Sequence, residues 1–199
     1  MGGAIGIDEV VAALLRGDVV VIPTDTVYGL AARAEDPAAV RRIFDLKSRH
    51  RDKAVQVLIP DAHWLDRLGR PSEYARRLAA AFWPGPLTIV LPASPDAPPA
   101  AVSEGTIGLR VPDHPVCLDI LSRVGPLVAS SANRSGEPTP AGVEAIRSLF
   151  GEGVAAYVDA GDIAGHASTV VHLSSGEPVI VREGAVSERT IAQALEGPI

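Results

Sequence analysis

Short apolar runs rich in β-branched residues recur along the chain, and polar stretches containing glycine or proline separate them. Runs of this length and composition are typical of strands in a largely buried sheet. The pattern predicts strands over residues 19–22, 55–59, 87–91, 107–111, 127–129, 155–158, 169–173 and 179–181.

Helical patterns alternate with several of these runs. Asp36 is a good N-cap residue, Pro37 suits a first helical turn, and apolar residues follow at helical spacing. Ser187 precedes a similar pattern. We predict helices from residue 37 onward and over residues 72–82, 115–123, 141–150 and 188–195. Strands interleaved with helices indicate a single α/β domain over residues 1–199, built on a mixed sheet.

Composition supports one globular domain and narrows its partners. Apolar residues make up 47% of 199, enough for a continuous core, and the net charge is -6. The negative charge argues against a broad surface for nucleic acid or anionic membrane. Cys117 is the single cysteine, and no apolar run approaches the length of a membrane helix. We expect a soluble cytoplasmic protein without membrane association.

Common nucleotide, hydrolase and metal signatures do not occur in the sequence. Neither lysine follows a glycine as in a Walker loop, and no GxGxxG or GxSxG motif is found. The five histidines show no metal-ligand spacing. The sequence therefore predicts no protein-bound metal.

A basic segment at residues 41–53 holds both lysines of the chain, and every other basic residue, histidine aside, is an arginine. This bias suggests that Lys47 and Lys53 stand where a compact ammonium is needed. Lys47 and Arg49 follow a predicted helix, from which they could neutralise phosphate oxygens in a cleft. A solvated helix face is the alternative interpretation.

Two polar segments, residues 23–30 and 130–136, follow predicted strands. In extended chain, Thr24 and Thr26 would share one face with Asp25 on the other. Hydroxyl and amide groups at strand ends suit a small polar ligand. A strand-to-loop exit in the first segment and an Asx- or Ser-type turn in the second are the alternatives.

Two arginines belong to apolar strands. Arg110 lies within the run at 107–111, and Arg182 ends the run at 179–181. An unpaired charge inside a buried strand is costly, so Arg110 needs an anion, either an internal carboxylate or a ligand carboxylate. Cys117 falls on an apolar helix face and is predicted to be a core residue.

Seven motifs, in this order, resemble the YrdC-like family of L-threonylcarbamoyladenylate synthases over residues 8–186. They read PTDTVYGL at 23–30, KSR at 47–49, FWPGPLTIVL at 82–91, IGLRVPDHP at 107–115, SSANRSGEPTP at 130–140, STVV at 168–171 and VREGAV at 181–186. The resemblance implies an α/β fold in which a twisted mixed sheet with flanking helices surrounds a large concave cavity.

The resemblance also implies a reaction. L-threonine, bicarbonate and ATP would give threonylcarbamoyl-AMP and pyrophosphate, with ATP as a substrate and Mg²⁺ accompanying its triphosphate. A downstream tRNA threonylcarbamoyltransferase would then modify an adenosine of tRNA. This chain would meet tRNA only indirectly.

By the same resemblance, the family's site residues fall on defined positions of this chain. Lys47 and Arg49 would be the catalytic cations. The ATP side would comprise Lys47, Arg49, Lys53, Thr106, Asn133, Ala141 and Arg182. The threonine side would comprise Thr26, Arg110, Ser131 and Ser168, with Arg110 facing the carboxylate. Leu58 departs from the family, which has a histidine near threonine at that position.

Two other functions remain open from the sequence. A related domain could bind RNA through residues 41–53 without catalysis. A paralogous enzyme on the same fold could act on another carbamoyl or carboxyl substrate, and the Leu58 departure is compatible with it. Threonine-dependent release of pyrophosphate from ATP separates these possibilities.

Overall fold

The computed structural model describes residues 6–48 and 55–196. Arg49 and Lys53, both expected to bind ATP, lie outside the described residues. Seven α-helices are found in the described part of the chain. They are α1 (Ile7–Leu15), α2 (Pro37–Leu46), α3 (Trp64–Leu68), α4 (Glu73–Phe82), α5 (Pro115–Val124), α6 (Val143–Phe150) and α7 (Glu188–Leu195). None of these helices is long and apolar enough to span a bilayer.

The strands form one mixed sheet. In chain order they are β1 (Val20–Ile22), β2 (Gly29–Arg33), β3 (Gln56–Leu58), β4 (Leu87–Pro92), β5 (Thr106–Arg110), β6 (Leu127–Ser131), β7 (Ala156–Tyr157), β8 (Thr169–His172) and β9 (Val179–Arg182). Their order across the sheet is β7-β1-β2-β6-β3-β5-β4-β8-β9. The pairs β1–β7, β3–β5 and β4–β8 are parallel, and the remaining pairs are antiparallel.

Alternation along the strands divides the buried side chains between the two faces of the sheet. On β3, Val57 packs into a cluster with α2, α3, α4, α6 and α7, whereas Leu58 packs into a second cluster with α1 and α5. On β5, β4 and β8, the second face is lined differently, because Gly108, Thr88 and Val170 border a cavity. The helices α1 and α5 therefore cover only part of this face.

The predicted α/β fold with flanking helices is confirmed. Each predicted strand and helix is present, with ends displaced by at most two residues. The pattern missed α1, whose N-cap is Gly6 without a capping side chain, and the five-residue helix α3. It also missed β2, whose sequence GLAAR has weak strand propensity. Pairing with β1 on one side and β6 on the other makes this segment a strand.

Cys117 lies in the second cluster with no exposed surface, as predicted for a core residue. Burial raises the pKa of its thiol to about 12. At pH 8 the thiolate fraction is then about one in ten thousand, and the thiolate is the reactive form.

We expect the native protein to resist labelling by a thiol-reactive disulfide reagent at pH 8, because both burial and the raised pKa suppress reaction. In denaturant, one thiol per chain should react promptly, since the sequence holds one cysteine. The absorbance of the chromophore that the reagent releases measures the labelling of the native and of the denatured protein. Prompt stoichiometric labelling of the folded protein would contradict the burial of Cys117.

Candidate active site

A cavity of about 180 Å³ opens on the second face of the sheet, beside the part covered by α1 and α5. Strands, strand ends and the chain between β4 and β5 all contribute to its wall. The polar side chains in this wall are Thr26, Gln56, Thr88, Ser103, Thr106, Arg110, Ser130, Ser131, Ser168 and Arg182. Valine, alanine and glycine residues complete it. At about 30 Å³ for each water molecule, the cavity has room for a small polar ligand.

The segment after β1 turns sharply instead of continuing as extended chain. Thr24 Oγ1 accepts the backbone N–H groups of Thr26 and Val27 at 3.2 Å each, and its hydroxyl donates to the Val27 carbonyl at 2.6 Å. The hydroxyls of Thr24 and Thr26 are 3.0 Å apart, as expected for residues on one side. Asp25 does not point away from them, because it contacts the same arginine as Thr26.

That arginine is Arg110, whose side chain is only 1% exposed. Its Nη2 donates to Asp25 Oδ1 at 2.5 Å, its Nη1 to Thr26 Oγ1 at 3.1 Å, and its Nε to the Gly85 carbonyl at 3.0 Å. Burial lowers the pKa of the guanidinium, the Asp25 carboxylate opposes this shift, and the charge of Arg182 adds to it. The internal carboxylate required by the sequence argument is therefore Asp25.

A second arginine lies across the cavity. Arg182 donates from Nε and Nη2 to the Ser168 carbonyl at 3.1 and 2.8 Å, and from Nη2 to Ser168 Oγ at 3.1 Å. Burial lowers the pKa of its guanidinium, and no carboxylate of the described residues forms an ion pair with it. Together with Arg110 it makes the cavity attractive to an anion.

Lys47 lies behind the wall formed by the end of β6. It is the C-cap of α2 and is 2% exposed. Its ammonium donates to the Ser131 carbonyl, to the Asn133 carbonyl at 2.8 Å and to Asn133 Oδ1 at 3.1 Å. The Ser131 hydroxyl also donates to Asn133 Oδ1, at 2.5 Å. Lys47 thus joins the end of α2 to the polar segment that follows β6.

The structure brings most of the expected site residues together. Thr26, Thr106, Arg110, Ser131, Ser168 and Arg182 line the cavity. Lys47 and Asn133 are buried directly behind Ser131. Ala141 is placed further out, where its carbonyl accepts the backbone N–H of Ile163 at 2.9 Å. The role of each residue toward a substrate stays a prediction.

Leu58, at the family's histidine position, is fully buried in the second cluster and is absent from the cavity wall. Gln56, two residues earlier on the same face of β3, lines the cavity instead. Sequence reasoning missed Gln56 and Thr88. The available signal was a polar residue within a run that otherwise reads as a buried strand.

No group of three or more His, Cys, Asp or Glu side chains within residues 6–48 and 55–196 is arranged to hold a metal ion. The polar groups of the cavity wall are hydroxyls, amides and arginines. These groups suit anions and zwitterions.

Several proteins similar to this chain are threonylcarbamoyl-AMP synthases. A Mycobacterium tuberculosis relative is 43% identical over 194 residues, which cover 96% of this chain and 89% of the relative. The threonylcarbamoyl-AMP synthase of Bacillus subtilis is 41% identical over 194 residues, covering 94% of this chain and 56% of that protein. The threonylcarbamoyl-AMP synthase of Chromohalobacter salexigens is 38% identical over 176 residues, which cover 86% of this chain and 94% of that protein.

Solved structures agree. The crystal structure of Pyrococcus abyssi Sua5 complexed with L-threonine matches with a TM-score of 0.89 and 34% identity, over 96% of this chain and 57% of that one. The crystal structure of Escherichia coli YciO matches with a TM-score of 0.87 and 28% identity, over 93% of this chain and 92% of that one. The profile of the Sua5/YciO/YrdC family, described as "Telomere recombination", matches residues 12–184. The chain belongs to the Sua5/YciO/YrdC family.

Proposed function

We propose that this protein is a threonylcarbamoyl-AMP synthase, which converts L-threonine, bicarbonate and ATP to threonylcarbamoyl-AMP, pyrophosphate and water. One observation carries the proposal. The cavity gathers two arginines and several hydroxyls from the motifs shared with this family, in a chain that is 34% identical to a Sua5 complexed with L-threonine. The product would supply a downstream tRNA threonylcarbamoyltransferase, so this chain would act on tRNA only indirectly.

The threonine side of the site is proposed to consist of Thr26, Arg110, Ser131 and Ser168. Arg110 has one N–H on each of Nη1 and Nη2 beyond its three internal bonds. These two N–H groups can donate to the threonine carboxylate. The Asp25 carboxylate keeps the guanidinium oriented when the ligand is absent.

The ATP side is proposed to consist of Lys47, Arg49, Lys53, Thr106, Asn133, Ala141 and Arg182. Arg182 is exposed, lines the cavity and lacks a carboxylate partner among the described residues, which supports a role near phosphate. Ala141 could contribute only backbone groups. Mg²⁺ would arrive with the triphosphate as part of the substrate.

Positioning supplies most of the proposed catalysis. A carbamate oxygen of N-carboxythreonine forms a bond to the α-phosphorus of ATP as the bond from that phosphorus to the bridging oxygen breaks, and pyrophosphate leaves with the electron pair. An ionised carbamate needs no general base, so the protein has to align the groups and stabilise charge on the phosphates.

The proposal predicts that pyrophosphate release from ATP and bicarbonate depends on L-threonine and falls at least about a hundredfold in Lys47→Ala and Arg49→Ala. Each substitution removes a cation assigned to phosphate, and Lys47→Ala also removes the ammonium that holds Ser131 and Asn133. A coupled assay for pyrophosphate measures the release, with L-serine and no amino acid as comparisons. Arg41→Ala is the matched control, since Arg41 is an exposed cation of the same basic segment.

The outcomes of this assay distinguish the competing functions. Release that does not depend on threonine would indicate a paralogous enzyme with another carboxyl substrate. No release at all, together with RNA binding that weakens steeply with salt and in Arg41→Ala, would indicate an RNA-binding module.

Arg110→Lys should raise the KM for threonine about tenfold or more and leave the KM for ATP nearly unchanged. A lysine ammonium cannot reproduce the planar set of bonds to Gly85, Thr26 and Asp25 while also meeting a carboxylate. The same change should lower stability by about 1–3 kcal/mol, because buried acceptors lose their donors. Steady-state kinetics and thermal unfolding measure the two effects.

Arg123→Lys is the control for this substitution. Arg123 forms an ion pair with Asp8 on the surface, and both side chains are substantially exposed. Such pairs contribute about 0–1 kcal/mol, so neither KM should change. Equal threonine KM values for Arg110→Lys and the unchanged protein would refute the role of Arg110.

A further inference from the structure

We propose that Thr88 and Gln56 are positioning residues that fix the direction of the Ser168 hydroxyl, so that Ser168 presents a hydrogen-bond acceptor to the amino group of the substrate. The inference rests on the proposed function, because it takes L-threonine as the ligand. It assigns a purpose to two cavity residues outside the expected site.

The direction is set at the far end of a hydrogen-bond chain. Thr88 Oγ1 lies 2.9 Å from Gln56 Oε1, which can only accept, so the hydrogen comes from Thr88. A hydroxyl has one hydrogen. The 2.9 Å contact between Thr88 Oγ1 and Ser168 Oγ must therefore be donated by Ser168.

The remaining capacity of Ser168 Oγ follows from this assignment. Its hydrogen is committed to Thr88, and one of its lone pairs accepts the N–H of Arg182 Nη2 at 3.1 Å. One lone pair is left, and Ser168 lines the cavity. Toward a ligand, this hydroxyl is therefore an acceptor.

A second threonine-side hydroxyl, that of Thr26, also accepts a hydrogen bond from an arginine. Thr24 uses its hydrogen on the Val27 carbonyl at 2.6 Å, so it cannot also donate to Thr26 Oγ1, which lies 3.0 Å away. Thr26 Oγ1 in turn accepts an N–H of Arg110 at 3.1 Å. Ser168 and Thr26 thus each accept a hydrogen bond from an arginine.

This arrangement matches the two charged groups of an amino acid. The ammonium and the later carbamate N–H are donors and would bind to the Ser168 oxygen, whereas the carboxylate is an acceptor and would bind to the guanidinium N–H groups. A ligand turned around would place acceptor against acceptor in a buried site, where unmade hydrogen bonds are expensive. The polarity of the Ser168 hydroxyl therefore orients threonine in the cavity.

Gly108 lies between the two strand residues at the end of this hydrogen-bond chain. It pairs with Gln56 of β3 on one side and with Val90 of β4 on the other, so it separates Gln56 from Thr88. A Cβ at Gly108 would lie 3.4 Å from Thr88 Cγ2 and 3.5 Å from Val90 Cγ2. The Gln56 side chain reaches across β5 to Thr88, and both residues of the bond belong to strands.

The test compares L-threonine with 3-hydroxybutanoate, which retains the carboxylate and the hydroxyl but lacks the amino group. In Thr88→Val, we expect the Kd for L-threonine to rise about tenfold and the Kd for 3-hydroxybutanoate to change less than about twofold, because one bond to a charged donor is lost. Thr88→Ser keeps the hydroxyl and should restore the preference. Titration calorimetry measures all the Kd values.

A second variant tests the direction of the chain without altering a buried strand residue. Gln56→Met removes the acceptor of the Thr88 hydrogen. The Thr88 hydroxyl can then donate to Ser168 instead, and the Ser168 hydrogen becomes free to point at the ligand amine. We expect threonine binding to weaken as in Thr88→Val. Tyr157→Phe is the control, since Tyr157 of β7 lies outside the cavity wall and its hydroxyl donates to the Gly151 carbonyl.

Several results would overturn the inference. Equal weakening of both ligands in Thr88→Val would mean that Thr88 only supports the wall. An unchanged threonine preference in both Thr88→Val and Gln56→Met would remove the positioning role, and Gln56→Met decides alone if the valine variant does not fold. Failure of the proposed function would be seen in a different measurement, because the unchanged protein would then release no pyrophosphate in response to threonine.

Discussion

The buried charge of Arg110 is the constraint on which the rest of the site depends. A guanidinium with 1% exposure at the end of a central strand is stable only if its surroundings supply acceptors. Asp25 and Thr26 in the turn after β1 supply two of them, and the Gly85 carbonyl before β4 supplies the third. Satisfying one charge therefore fixes the loop after β1 and the turn before β4 against β5.

The sheet explains why a cavity exists beside that charge. One face is covered along its length by five helices, whereas α1 and α5 cover only part of the other. Over β5, β4 and β8, the second face carries Gly108, Thr88 and Val170 in place of large apolar side chains. Small and hydroxylated residues at alternate positions leave space there. The hydroxyls of Thr88 and Ser168 donate their hydrogens to other residues of the cavity wall.

Much of the fold followed from local pattern. The strand runs, the Asp36 and Ser187 caps and the alternation of strands with helices are encoded within a few residues of each other, so they could be read directly. The polar strand ends were also visible, and residues such as Thr26, Ser131 and Ser168 do meet at the cavity. The strand β2 was hidden, because its weak local propensity is overridden by pairing with β1 and β6.

The sequence by itself determined the layered α/β architecture, the need of Arg110 for an anion and the family-like order of the motifs. It could not decide that Asp25, 85 residues away, is that anion, or that Lys47 would contact the end of β6. Gln56, Gly108 and Thr88 lie on three strands that only the sheet order brings side by side. The direction of the Ser168 hydroxyl belongs to the tertiary structure alone, because a hydrogen is assigned only when every neighbouring donor and acceptor is in place.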